Sequence, residues 1–94
     1  MSNIEKLIGK PSLLEQLAEE ATELAKAALK QARILRGENP TPVTEEEARA
    51  SVIEEYTDVV HCAKMLDINE DELQIEYKSK RWIDRITNKN TGVL

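Results

Sequence analysis

The chain has 94 residues, enough for one small domain spanning 1–94 that buries a modest share of its surface. Its net charge of -5 excludes a general nucleic-acid or anionic-membrane binder, because both need a dominant positive field. One-third of the residues are charged, phenylalanine is absent, and the apolar residues are mostly Leu, Ile, Val and Ala, which predicts an all-α helical bundle. No run of about 18 apolar residues exists to span a membrane. The opening MSNIEKLIGK lacks the apolar core of a signal peptide, and the single Cys62 cannot form an intrachain disulfide. Both predict a cytoplasmic protein.

Ser2-Asn3-Ile4-Glu5 can cap a short leading helix that ends before Gly9, so residues 1–10 form a leading segment. Ser12 and Glu15, just after Pro11, predict the start of the first long helix. Leu13, Leu17, Ala21, Leu24, Ala28, Ala32 and Leu35 then recur at three- and four-residue steps, and Gly37 stops the run. Asn39-Pro40-Thr41-Pro42 is a turn-forming linker. Thr44 and Glu47 form a second capping box, followed by Ala48, Val52, Tyr56, Val59, Ala63 and Leu66 as the stripe of a second long helix. Asp67-Ile68-Asn69 predicts a break, with Asn69 as the cap of a third helix from Glu70 to about Thr87. Residues 88–94 have turn formers and no period, which predicts a frayed tail.

The two long helices carry a duplicated segment. Leu17 to Ala28 reads LAEEATELAKAA, and Val52 to Ala63 reads VIEEYTDVVHCA. In register, Glu19 matches Glu54, Glu20 matches Glu55, Thr22 matches Thr57 and Glu23 matches Asp58. On a helical wheel Glu20 lies within roughly 60° of Leu13, Leu17, Leu24 and Leu35, and Glu23 lies roughly 60° to the other side. Glu55 and Asp58 repeat this layout beside Ala48, Val52, Val59 and Leu66. Both acid pairs therefore border the apolar stripe, where like charges repel more than they do in water. A lone acidic pair of this kind is usually a solvated face. Two copies at the edge of two stripes leave a divalent cation and a solvated face both open, and an all-oxygen donor set would suit Mg2+ or Mn2+.

The third helix gathers Lys78, Arg81 and Arg85 within about 60° of arc. Cations on one face either pair with nearby acids such as Glu76 and Asp84 or bind a compact anion, and Mg2+ with Lys and Arg is the combination that neutralises polyphosphate. His61 points away from the stripe, Cys62 reads as a small buried hydrophobe, and Trp82 and Tyr77 read as core or subunit packing. No P-loop and no nucleophile–His–acid set is present.

Glu19-Glu20-x-x-Glu23 followed by Glu55-x-x-Asp58 resembles the EExxE…ExxD signature of MazG-like nucleotide pyrophosphohydrolases, a family of the all-α nucleoside triphosphate pyrophosphatase group. The resemblance covers roughly Ser12 to Arg85. It implies a MazG-like bundle completed by homo-oligomerisation as a homodimer or homotetramer. It implies Mg2+ ligation by Glu20, Glu23, Glu55 and Asp58, with Glu19 or Glu20 as a candidate base. Lys78 and Arg85 match substrate-contacting positions, and Trp82 stands where relatives carry Asn. The implied reaction converts a nucleoside triphosphate and water to the monophosphate and pyrophosphate. Two alternatives stay open: a non-catalytic helical interaction protein, and a related hydrolase acting on another phosphorylated nucleotide such as a phosphoribosyl-ATP.

Overall fold

The computed structural model describes residues 2–38 and 42–91, with side chains described as far as residue 88. Four helices lie among the described residues: α1 (Asn3–Ile8), α2 (Lys10–Leu35), α3 (Glu45–Met65) and α4 (Glu72–Thr91). No strand occurs among the described residues.

The helix ends follow local chemistry. Ser2 Oγ accepts from the Glu5 backbone N–H at 3.0 Å and opens α1. Gly9, at φ 87°, turns the chain directly into α2, so the helix begins at Lys10 with Pro11 in its first turn. Ser12 therefore lies inside the helix, and the cap expected of it is supplied by Gly9. A proline in the first turn costs nothing, because its missing N–H would have no intrahelical partner there. Thr44 behaves as its sequence implies: its hydroxyl accepts from the Glu47 N–H at 3.1 Å, and the Glu47 carboxylate reaches back to the Thr44 N–H.

α2 and α3 end in the same way. The N–H of Glu38 donates to Arg33 C=O at 2.9 Å and that of Gly37 to Ile34 C=O at 3.0 Å. At the end of α3, Ile68 donates to Ala63 at 2.9 Å and Asp67 to Lys64 at 3.1 Å. Each pair is a Schellman closure, which needs one left-handed residue. Gly37 supplies it at φ 71°, and Asp67, a side chain that tolerates this region, supplies it at φ 58°. α4 then starts at Glu72, with Asp71 Oδ1 accepting from the Gln74 N–H at 3.1 Å. Asp71 and not Asn69 is the cap. These bonds to Gln74 hold the Asp71 carboxyl below its ordinary pKa. α4 continues to Thr91, past the expected end near Thr87, while 92–94 and the Asn39–Thr41 part of the linker lie outside the described residues.

α2 packs along α3, and α1 touches α2. Buried Leu13 near the start of α2 and buried Leu66 just past α3 mark one end of the seam, with buried Ala48 towards the other, so the pair is antiparallel. Among the described residues the buried apolar side chains are Leu13, Ala48, Cys62 and Leu66. Leu17, Leu24, Val52 and Val59 are half-buried, whereas Leu35 and Tyr56, expected in the core, are exposed. Every described side chain of α4 is exposed. No helix among the described residues is long and apolar enough to cross a membrane.

Candidate metal centre

The duplicated segments fold alike. Thr22 Oγ1 donates to Ala18 C=O at 3.0 Å, and Thr57 Oγ1 donates to Ile53 C=O at 2.7 Å, the same back-bond one turn away in each copy. These hydroxyls are thereby satisfied within their own helices and leave the acids as the groups with free valence.

The antiparallel pairing decides where those acids go. Positions rotated in the same sense away from the contact line of two antiparallel helices emerge on the same side of the hairpin. Glu20 and Glu55 lie almost on the contact line, and Asp58 borders it on one side. Carboxylate oxygens of Glu20, Glu55 and Asp58 accordingly lie within 4.8 Å of one another, with all three residues half-buried. Gln16 Nε2 donates to Glu20 Oε1 at 2.8 Å and fixes that carboxylate from one turn below.

Glu23 stays outside this group. It is exposed, and its Oε1 lies 3.4 Å from Lys26 Nζ. It remains near enough for its charge to act on Glu55. Glu19 is exposed on the outer side of α2 and does not join the cluster. The expected four-acid set is thus three converged carboxylates and a fourth at the margin.

The electrostatics describe a site short of positive charge. Burial pushes the Glu55 carboxyl above its ordinary pKa, and the charges of Asp58, Glu54, Glu20 and Glu23 add to the shift. Every charged group acting on it is an acid. Cys62, buried beside the cluster, is also pushed up, first by burial and then by Glu20 and Asp58. Its thiol stays protonated and unreactive, as its packing role requires. A divalent cation would relieve the repulsion, and three carboxylates from two helices present oxygen donors of the kind Mg2+ and Mn2+ accept. The donor set fits such an ion.

Lys78, Arg81 and Arg85 share one shallow depression on α4, together with Trp82. No ion pair involves them among the described residues, so pairing with Glu76 or Asp84 does not account for them. Among the described residues α4 forms no packed interface with α2 or α3, and no cation contributes to the shift of Glu55. His61 is exposed, as its wheel position implies, and Tyr77 and Trp82 are exposed rather than in a core. No family model, curated protein or solved structure matches the chain. Its function is therefore read from its own side chains.

Proposed function

We propose that this protein is a Mg2+-dependent nucleoside triphosphate pyrophosphohydrolase. The observation that carries the reading is the convergence of Glu20, Glu55 and Asp58 across the α2–α3 seam, where the described charges that shift Glu55 are all acids. The resemblance of Glu19-Glu20-x-x-Glu23 and Glu55-x-x-Asp58 to the MazG-like signature supports it. So does the unpaired cationic face of α4, which matches a polyphosphate in charge.

Glu20, Glu55 and Asp58 would hold the ion, and Glu23, whose charge acts on Glu55, borders them. Bound Mg2+ supplies charge neutralisation for the triphosphate and a lowered pKa for water. The oxygen of water attacks the α-phosphorus, the bond to the α–β bridging oxygen breaks, and pyrophosphate leaves with that oxygen. A cluster carboxylate takes the proton of the water. We assign this role to Glu20, whose carboxylate accepts from Gln16, and not to Glu19, which lies on the outer side of α2. Lys78, Arg81 and Arg85 offset charge on the departing pyrophosphate once α4 is brought to the seam.

The test is a panel of nucleoside triphosphates assayed for products with and without Mg2+. Stoichiometric monophosphate and pyrophosphate, formed only with the metal, is the expected result. Release of inorganic phosphate would contradict attack at the α-phosphorus.

A second reading, a non-catalytic helical interaction protein, is favoured by the separation of the α4 cations from the acids. Calorimetric titration with Mg2+ divides the two. A scaffold gives no heat of binding and tolerates Glu55→Gln without loss, whereas the hydrolase binds the metal and fails with that substitution.

A further inference from the structure

α4 sets two surfaces side by side. Seen down the helix axis from Trp82, Ile75 and Ile86 lie within roughly 40° to one side, and Lys78, Arg85 and Arg81 lie roughly 40° to 100° to the other. Trp82 therefore stands on the boundary between an apolar strip and a cationic one. Its indole is 69% exposed and lines a single depression with Lys78, Arg81 and Arg85. The depression holds about 320 Å³, at the small end of ligand sites.

The lining fixes the chemistry of an occupant. Lysine, arginine and the indole N–H donate hydrogen bonds and accept none. Three of the four groups are cations, and no ion pair involves them among the described residues. The groups this lining satisfies are thus anionic oxygens. The indole adds something a bare phosphate does not need: a broad aromatic face beside the charge, on a helix whose described side chains are all exposed. Such a face takes a flat ring. Lys78 and Arg85 are seven residues apart, roughly 10 Å along the axis, with Trp82 between them. One compact ligand can therefore touch cations and indole together.

We infer that Trp82 is a base-stacking residue: this face of α4 takes a nucleoside triphosphate with its phosphates on Lys78, Arg81 and Arg85 and its base on the indole. The inference rests on the proposed reaction for its choice of ligand, but the contact itself needs neither metal nor hydrolysis. The resemblance offers no precedent for it, since relatives carry Asn where Trp82 stands. No acceptor lines the depression, so the amino groups of a base go unread. Selection then follows ring area and phosphate charge, and purine triphosphates bind tightest. A polynucleotide offers the same rings and phosphates, but the net charge of -5 repels a long anion, whereas one nucleotide meets only the local cations.

The test is a titration of the full chain in chelator, free of metal, that follows the emission of Trp82, the only tryptophan. ATP should quench it at lower concentration than CTP, and inorganic tripolyphosphate should displace ATP without quenching. By calorimetry, Trp82→Ala should weaken ATP binding about 10- to 100-fold, the worth of one stacked base, and leave tripolyphosphate binding unchanged. Trp82→Phe should recover most of that loss. If Trp82→Ala fails to fold, the titration of the unmodified protein still decides. Emission that ATP does not move, or that tripolyphosphate moves equally, overturns the inference, because the indole then only packs or senses charge. Tighter quenching by a short single-stranded oligonucleotide than by ATP overturns it in favour of nucleic acid. Quenching by ATP without pyrophosphate release once Mg2+ is added upholds the stacking contact and sinks the hydrolase. Pyrophosphate release without quenching does the reverse.

Discussion

α2 and α3 bury Leu13, Ala48, Cys62 and Leu66, whereas α4, with Trp82, Ile83 and Ile86 along one side, buries none of its described residues. Both regions have capped ends, helical spacing and apolar stripes. They differ in what faces the stripe. The hairpin pays the entropy of a short linker and gains a seam, and at the edge of that seam the acids are driven together. Among the described residues α4 has no such packed neighbour, so Lys78, Arg81 and Arg85 remain solvated and unpaired. A stripe makes a helix amphipathic; only a facing partner turns that into stability or a site.

Breaking the acid cluster should give the largest effect. Glu55→Gln is expected to lower pyrophosphate release by about 100- to 1,000-fold, as loss of a key charge-stabilising group does, and to abolish the calorimetric Mg2+ signal. The same variant should raise the thermal midpoint of the metal-free protein at neutral pH. Because Glu55 is pushed up in the folded chain, its ionisation opposes folding: stability falls as pH rises from the ordinary glutamate pKa through the raised value. A thermal-melt series against pH should show that fall in the parent and a flatter profile in Glu55→Gln. Added Mg2+ should restore the parent and leave the variant unmoved.

Core truncation sharpens the contrast between regions. Leu13→Ala, at 1% exposure, should cost about 2–5 kcal/mol in chemical denaturation. Ile83→Ala on α4, 63% exposed, should cost well under 1 kcal/mol. Equal losses at both positions would mean that α4 is packed within its own chain.

Removing cations comes next. Lys78→Ala or Arg85→Ala should weaken nucleotide binding by about 10-fold or more, the worth of one charged hydrogen bond, while leaving Mg2+ affinity nearly intact. Equal damage to both would show that acids and cations do not divide the work. The smallest changes are at helix ends. Thr44→Ala should cost about 1 kcal/mol through loss of its cap on Glu47. Asp67→Gly, relieving a left-handed residue at φ 58°, should gain about 1 kcal/mol.

Much of the local structure was legible in the chain. Thr44 with Glu47, Gly37 as a stop and the break at Asp67 are local events, and local hydrogen-bonding chemistry decides them. Ser12 and Asn69 were misleading for an equally local reason: each has a competitor nearby. Gly9 turns the chain into α2 before Ser12 can act, and Asp71 sits closer to the first turn of α4 than Asn69. The site was legible as far as the wheel reaches. Spacing put Glu20, Glu55 and Asp58 at the stripe edges, but it gave Glu23 the same rank, and Lys26, three residues along, holds Glu23 outward.

By itself the sequence determined that the chain is helical, where the helices break, and which side chains share a face, because these follow from hydrogen bonds and periodicity within a few residues. Only the tertiary structure decided that antiparallel pairing brings three of the four acids together, that Leu35 and Tyr56 stay exposed, and that α4 forms no packed interface with α2 or α3 among the described residues. Those outcomes depend on which surfaces meet across distant stretches of chain, a competition that no single helical face encodes.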